Sequence, residues 1–287
     1  MINADDEKWD IEITPRNNVF SLGLKNVWHY RDLLVLLVRR DFVSFYKQTI
    51  LGPLWFFIQP IITTITYTII FGKLAGIPTD GVPAPLFYLA GITIWSYFAD
   101  CLTKTSTVFK DNAAMLGKVY FPRLIMPLSI IFSNLIRFAV QFILFLFVLA
   151  FLMIKGYPIA PNATVLLFPV LIMLVAAQGL GLGMIISAVT TKYRDLAFVV
   201  SFGVPLLMYV VPIVYPLSTA ETTYPAYAAI IRYNPITAVL ETFRYGFLGK
   251  GTFSWQLLTY STVVTAILFI IGTVIFNRVE KNFVDTV

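Results

Sequence analysis

The chain has 287 residues, of which 58% are hydrophobic and only 13% charged, and its formal net charge is +6. Soluble domains carry about a quarter charged residues, so this composition excludes an ordinary soluble protein and favours one embedded in a membrane. The single cysteine, Cys101, excludes an intrachain disulfide and a cysteine-based metal site. Because Asp5, Asp6 and Glu7 stand where a signal peptide would be basic, we expect no cleavable signal peptide.

The first predicted element, over residues 31–53, is an amphipathic helix that lies at the membrane interface and ends at a Gly-Pro break. Arg39 and Arg40 belong to this helix, where their guanidinium groups can meet anionic lipid headgroups. The apolar side chains that share its membrane-facing side are Leu34, Leu37, Val38, Phe42 and Phe45. The preceding residues, 1–30, form a cytoplasmic extension, and we assign no role to residues 1–27.

Six apolar segments follow, each near or above the length of about 17–25 residues that crosses a bilayer. They cover residues 54–74, 85–102, 124–154, 165–189, 196–215 and 256–276. We therefore predict an all-α integral membrane protein in which residues 54–287 form one domain of six transmembrane helices.

The basic residues are distributed unevenly between the two sides of this predicted bundle. Fifteen lysine and arginine residues fall on the side of the N-terminus, and five fall in the opposite loops. Because positive charge accumulates on the cytoplasmic side, we expect both termini to be cytoplasmic.

The region 216–255, between the fifth and sixth spans, is too long for a simple turn. Asn234 and Pro235 predict the start of a short helix that ends near Gly246 or Gly249. Its half-apolar composition favours short re-entrant helices in the outer leaflet, which are tolerated only where protein or water covers their ends. An ordinary surface helix is the alternative.

Signs of catalysis are absent from the sequence. No phosphate-binding loop is present, so we expect neither ATP hydrolysis, nor a catalytic residue, nor a metal or cofactor site in this chain. The run Gly179-Leu180-Gly181-Leu182-Gly183 lies inside an apolar span, where small residues allow close helix packing.

Arg137 is a charged residue deep inside a predicted span. It lies thirteen residues beyond Leu124, or about 20 Å along a helix, near the membrane middle. Gln141 follows one turn later on the same face. These side chains either line a transport path or pair with a neighbouring helix. Asp100 lies near a span end, so Arg137 has no evident partner in the sequence.

Four tyrosines are candidates for the wall of a transport path: Tyr67, Tyr97, Tyr209 and Tyr215. Aromatic faces suit sugar rings because they stack on C–H surfaces while the hydroxyl forms hydrogen bonds. Membrane anchoring or helix packing is the alternative for each of them.

Several motifs occur in a characteristic order among the spans. They are the stretch from Arg31 to Pro60, Asn112 with Lys118-Val119-Tyr120-Phe121-Pro122-Arg123, Tyr193-Arg194-Asp195 with Pro212-Ile213-Val214-Tyr215, Asn234-Pro235, and the tail Arg278 to Asp285. In this order they resemble the permease subunits of ABC-2 type exporters of O-antigen, capsule and teichoic acid. The resemblance covers nearly the whole chain from about residue 28.

The resemblance implies a permease that forms a homodimer in the bacterial inner membrane and binds two copies of a cytoplasmic ABC ATPase, which holds the ATP and Mg²⁺. The cargo would be a lipid-linked polysaccharide, with O-antigen expected, and it would pass between the two permease copies. The residues expected to couple to the ATPase are Arg39, Arg40, Asn112, Lys118, Arg194 and Asp195. Those expected at the outer gate are Asn234, Pro235, Glu241 and Arg244.

Three other functions compete with this one. The first is an ABC-2 permease for another cargo, such as teichoic acid, capsule, a drug or a lipid. The second is a secondary transporter, which predicts paired intramembrane carboxylates or broken helices. The third is a membrane-embedded transferase, which would need clustered acidic residues at a membrane face. For export of a lipid-linked polysaccharide, Arg39 and Arg40 are also expected to attract the pyrophosphate of the lipid carrier.

Overall fold

In a computed structural model, the structure describes residues 24–47, 49–116, 121–193 and 195–283, and most of these residues are helical. Two helices come first, α1 (Leu24–His29) and α2 (Arg31–Tyr46). The predicted interface helix, residues 31–53, is therefore α-helical only as far as Tyr46. Leu37, on its apolar side, is buried where α2 packs against a later helix.

Five helices in the described ranges are long and apolar enough to cross a membrane: Gly52–Leu74, Ala84–Ser106, Ile125–Ile154, Ala163–Lys192 and Trp255–Val279. The first comprises a 3₁₀ turn, α3 (Trp55–Tyr67) and a π-helical continuation, Thr68–Leu74. The others correspond to α4 (Ala84–Ser106), α7 (Ile125–Ile154), α8 (Phe168–Lys192) and α13 (Trp255–Phe283). Five of the six predicted spans are thus confirmed as helices of sufficient length.

The predicted span 196–215 differs from the other five. Its helix, α9, covers only Leu196–Leu207, and the chain continues through turns to residue 215. Pro212 has no N–H to donate and disfavours a helical residue before it, so the helix ends before this proline. Hydropathy predicted a spanning helix over all of residues 196–215, and the structure forms a helix only over Leu196–Leu207.

Helix α4 lies at the centre of the bundle. In its most apolar stretch 78% of the residues are buried, against 17–39% in the other four long helices. It packs on α7 on one side and on α8 on the other, and α8 in turn packs on α13. Two shorter helices, α5 (Val108–Asp111) and α6 (Ala113–Leu116), follow α4 in the loop that was predicted to be cytoplasmic.

The glycines of α8 permit these close contacts. A Cβ atom on Gly183 would lie 2.6 Å from the Cβ of Thr105, and one on Gly179 would lie 2.8 Å from the Cβ of Cys101. On the opposite side, a Cβ on Gly181 would lie 2.9 Å from the carbonyl carbon of Leu268 in α13. The predicted packing role of this glycine run is confirmed.

The region between the fifth and sixth segments folds into α10 (Leu217–Thr223), α11 (Pro225–Arg232) and α12 (Pro235–Leu248). The Oδ1 of Asn234 accepts from the Ile236 N–H at 3.1 Å and so caps α12. Gly249, with a φ of +68°, ends the helix in the left-handed conformation. Nearly every residue of α12 is buried, which excludes an ordinary surface helix.

Candidate functional site

A polar cavity of about 360 Å³ lies between α2, α4 and α7. Three of the residues singled out in the sequence line it: Arg40, Asn112 and Arg137. The cavity therefore brings together candidates that the sequence assigned to two different roles. Its wall also includes Asp41, Lys104, Asp111, Ser133 and Asn134.

The charges around the polar cavity are largely paired. Arg40 contacts Asp41 at 2.8 Å, and Arg137 donates from Nη1 to the Oδ2 of Asp100 at 2.7 Å. Of the two alternatives for Arg137, the structure shows pairing with a neighbouring helix, because the packing of α4 on α7 brings a carboxylate from 37 residues earlier to its guanidinium.

Lys104 is the third cation at the cavity. Its Nζ donates to the Oδ1 of Asn134 at 2.8 Å, and no carboxylate of the described residues lies within ion-pair distance. Burial in the helix contact lowers the hydration of this ammonium group, so a neutral amide alone is a modest compensation. The cavity thus presents one cation without a direct counter-charge.

Of the residues expected to couple to an ATPase besides Arg40, three lie in the part of the chain that the structure describes. Arg39 is exposed on α2, and Asp195 is exposed just before α9. Asn112 is half-buried and donates from Nδ2 to the carbonyl of Val108 at 3.0 Å. Lys118 and Arg194 lie outside the described residues.

Three of the four candidate tyrosines lie together, and we call them the tyrosine face: Tyr67, Tyr209 and Tyr215. The Tyr67 hydroxyl donates to the Sδ of Met208 at 3.3 Å, and the Tyr215 hydroxyl donates to the carbonyl of Tyr209 at 3.0 Å. Tyr209 is half exposed. The elements that carry these tyrosines also expose apolar side chains: Ile65, Ile69, Leu206 and Val210.

Tyr97 and Gln141 are buried away from the tyrosine face. Tyr97 is 3% exposed, and its ring packs 5.1 Å from that of Phe138, between α4 and α7. Gln141 is 5% exposed on α7. In this conformation both side chains contact protein rather than a transport path.

The predicted gate residues Glu241 and Arg244 form a buried ion pair, with Nη1 of Arg244 3.3 Å from Oε1 of Glu241. Arg244 is 1% exposed and donates to the carbonyls of Pro212 and Ile213. Pro235 begins α12, and its carbonyl accepts from Ser261 Oγ at 2.7 Å. All four gate candidates therefore belong to one helix or its cap.

The sequence analysis missed the partners of these charges. Asp100 and Lys104 are one turn apart on α4, a spacing that marks a common polar face and was a usable signal. The contact of Arg244 with the carbonyls of Pro212 and Ile213 could not be predicted, because the local sequence does not show which distant side chain will reach a backbone carbonyl.

Comparison with known proteins agrees with this architecture. The model of a family described as ABC-2 type transporter matches residues 32–248. The O-antigen export system permease protein RfbA of Myxococcus xanthus is 26% identical over 265 residues, covering 92% of this chain and 98% of that protein. The RfbA protein of Klebsiella pneumoniae is 27% identical over 267 residues, covering 92% and 99%.

Proposed function

Because this chain belongs to the ABC-2 type transporter family, we propose that it is the membrane subunit of an exporter that carries a lipid-linked polysaccharide, an O-antigen, from the cytoplasm to the periplasm. The observation that carries the proposal is its similarity, over about nine tenths of its length, to O-antigen export permeases of two bacteria. A glycan has too many hydroxyl groups to cross hydrocarbon alone, so it needs a path through protein.

Transport against a barrier requires energy, and the sequence has no phosphate-binding loop. Two copies of a cytoplasmic ABC ATPase, holding ATP and Mg²⁺, would supply it. The contact would be made by α2 and the residues around the polar cavity, including Arg39, Arg40 and Asn112, and by Asp195 before α9. Lys118 and Arg194, which lie outside the described residues, complete the proposed coupling surface.

The path would form between two copies of the chain, with the tyrosine face on its wall. Support comes from the exposure of Tyr209 beside apolar side chains of the same elements, a surface that a second copy can cover. Tyrosines there offer stacking to successive sugars without tight binding at any one position. Tyr97, Arg137 and Gln141 would support the wall from behind.

Six crossings, with both termini in the cytoplasm, fit the charge distribution, although the fifth segment is only partly helical. Thr190 Oγ1, near the end of α8, donates to the Ser106 carbonyl at 2.7 Å, so α9 starts beside the end of α4. A Cβ on Gly91 would lie 2.9 Å from Ile213. From Gly91 to Ser106, α4 rises about 22 Å, most of a bilayer core. We therefore propose that residues 196–215 cross as a short helix followed by irregular chain.

The domain division proposed from the sequence follows the same scheme, with a cytoplasmic extension (1–30), an interface helix (31–53) and a six-crossing membrane domain (54–287). Helix α12 would then be a buried re-entrant element on the outer side, since protein covers nearly all of its surface.

Co-purification of this chain with an ABC ATPase encoded by a neighbouring gene tests this function. We expect a complex of two chains and two ATPase subunits that hydrolyses ATP, and accumulation of intracellular lipid-linked glycan when the gene is deleted. Absence of an ATPase partner would contradict the exporter. An intact complex with normal O-antigen at the surface of the deletion strain would instead point to another cargo.

A further inference from the structure

The end of the fifth apolar segment is buried although it is not helical. Val211 and Ile213 are fully inside the protein, and Val214 is 2% exposed. Where a helix is interrupted, its carbonyls lose the N–H partners that the next turn would have provided. A buried carbonyl without a partner costs free energy, so this stretch needs donors from elsewhere in the fold.

Arg244 supplies two of these donors from α12, more than thirty residues later. Its Nη2 donates to the Ile213 carbonyl at 2.9 Å, and its Nη1 donates to the Pro212 carbonyl. The planar guanidinium reaches two adjacent carbonyls with two nitrogens, which the single ammonium of a lysine cannot do with the same geometry. The side chain thus replaces the missing helical hydrogen bonds of the fifth segment.

The same guanidinium contacts α4 directly and is connected to the loop before α13 through Glu241. Its central carbon lies 3.8 Å from the ring centroid of Phe87 on α4. Its partner Glu241 accepts through Oε2 from the Thr252 N–H at 3.0 Å, in the loop before α13. Arg244 therefore lies where the fifth segment, α4, α12 and the loop to α13 meet.

This cluster binds protein groups rather than a ligand. The cavity beside it measures about 10 Å³, which has room for one water at most. The Nε of Arg244 is also buried and has no hydrogen-bond partner in the described part of the chain. An apolar side chain would fill such a site at lower cost, so simple packing does not account for an arginine here.

We propose that Arg244 is a positioning residue that fixes the irregular half of the fifth segment to α12, so that the two elements move as one body during transport. The proposal deepens the proposed export function, which it takes as its setting. Tyr209 and Tyr215 flank the residues that Arg244 binds, so a rigid link would carry any movement of α12 directly to the tyrosine face.

Gly91 offers an independent way to disturb the same junction. A Cβ at this position would lie 2.9 Å from the Ile213 side chain and 3.0 Å from the Nη2 of Arg244. Gly91→Ala therefore displaces the link without removing a charge. Agreement between Gly91→Ala and an arginine variant would assign the effect to the junction rather than to the lost ion pair.

The test measures the link directly, by pulsed electron spin resonance between labels at positions 210 and 250 in a Cys101→Ala background. Val210 and Lys250 are exposed, on the fifth segment and just after α12. The sample is the full chain co-purified with its ATPase, with and without ATP. We expect a narrow distance distribution that keeps its width and centre when ATP is added.

Arg244→Lys and Gly91→Ala should each broaden this distribution about threefold, and should reduce export per ATP hydrolysed about tenfold, since each loses charge-assisted hydrogen bonds or their geometry. Arg232→Lys is the control, because Arg232 pairs with Glu221 at 3.3 Å on the exposed surface. A lower unfolding temperature with an unchanged distribution would show a merely structural role and overturn the proposal. The distance between the labels can be measured whether or not the protein exports a glycan. A narrow, Arg244-dependent distribution in a protein that exports nothing would therefore support the link and contradict only the proposed export function.

Discussion

Arg137 and Asp100 form an ion pair of 2.7 Å that joins two helices long enough to cross a membrane. The side chains are 14% and 31% exposed and Arg137 lines the polar cavity, so the pair does not lie in a dry core. An arginine on an apolar helix is costly when it faces lipid, and both the carboxylate and the cavity lower that cost. The pair explains how the longest span, α7, carries a charge near its middle.

Removing Asp100 alone should destabilise the protein, because Arg137 would keep its charge without the counter-charge. We expect Asp100→Asn to lower the free energy of unfolding by about 1–3 kcal/mol, less than for a fully buried pair because both groups are partly exposed. The double variant Asp100→Asn/Arg137→Gln should recover at least half of this loss. Thermal unfolding in detergent measures it, and strictly additive effects of the two substitutions would contradict a direct interaction.

The glycine contacts between α8 and its neighbours give a second prediction. Gly183→Ala puts a Cβ 2.6 Å from that of Thr105, so we expect a loss of about 1–3 kcal/mol of stability from overpacking. Gly203→Ala is the matched control, since Gly203 also lies inside an apolar helix but has nothing within 4 Å of an added Cβ. That variant should be neutral or slightly stabilising because alanine favours helices. Equal unfolding temperatures for the two variants would show that α8 does not pack closely.

The tyrosine face should affect transport without affecting folding. Tyr209→Ala removes an exposed ring, and we expect export to fall about twofold to tenfold, whereas Tyr209→Phe should keep most of the activity because the ring remains for stacking. Tyr227 is also exposed but lies on α11, so Tyr227→Ala serves as the control. Surface O-antigen per cell, at matched protein level, measures the effect. If both alanine variants behaved alike, Tyr209 would not belong to the path.

The basic side chains of α2 should contribute to binding the lipid carrier. Each exposed arginine near an anionic group contributes about 1 kcal/mol, so Arg39→Gln/Arg40→Gln should weaken binding of the lipid-linked substrate at least tenfold at low salt. Arg31→Gln is the control, because Arg31 is on the same helix beside Asp32. Binding to substrate-containing vesicles is the measurement, repeated at high salt, where screening should reduce the difference. Unchanged substrate binding and export in the double variant would remove this role from α2.

The sequence was sufficient for features that depend on composition and local pattern. Long apolar runs become helices wherever no donor or acceptor competes, so five spans ended within a few residues of their predicted limits. Capping chemistry predicted the start of α12 at Pro235 and left its end open between Gly246 and Gly249, and the structure ends the helix before Gly249. The fifth segment was the exception. A hydropathy average is little changed by Pro205 and Pro212, but proline has no N–H for a helical hydrogen bond, and the helix does not continue past Leu207.

The apolar runs that form the five long helices and the uneven placement of basic residues along the chain were therefore properties of the sequence by itself. Only the tertiary structure decided that Arg137 meets Asp100, that Arg244 reaches the carbonyls of Pro212 and Ile213, and that Tyr67 lies with Tyr209 while Tyr97 is buried. The reason is that a helix of known length can still rotate about its axis. Its rotation is fixed by which small residues let a neighbour approach, and that depends on both surfaces at once.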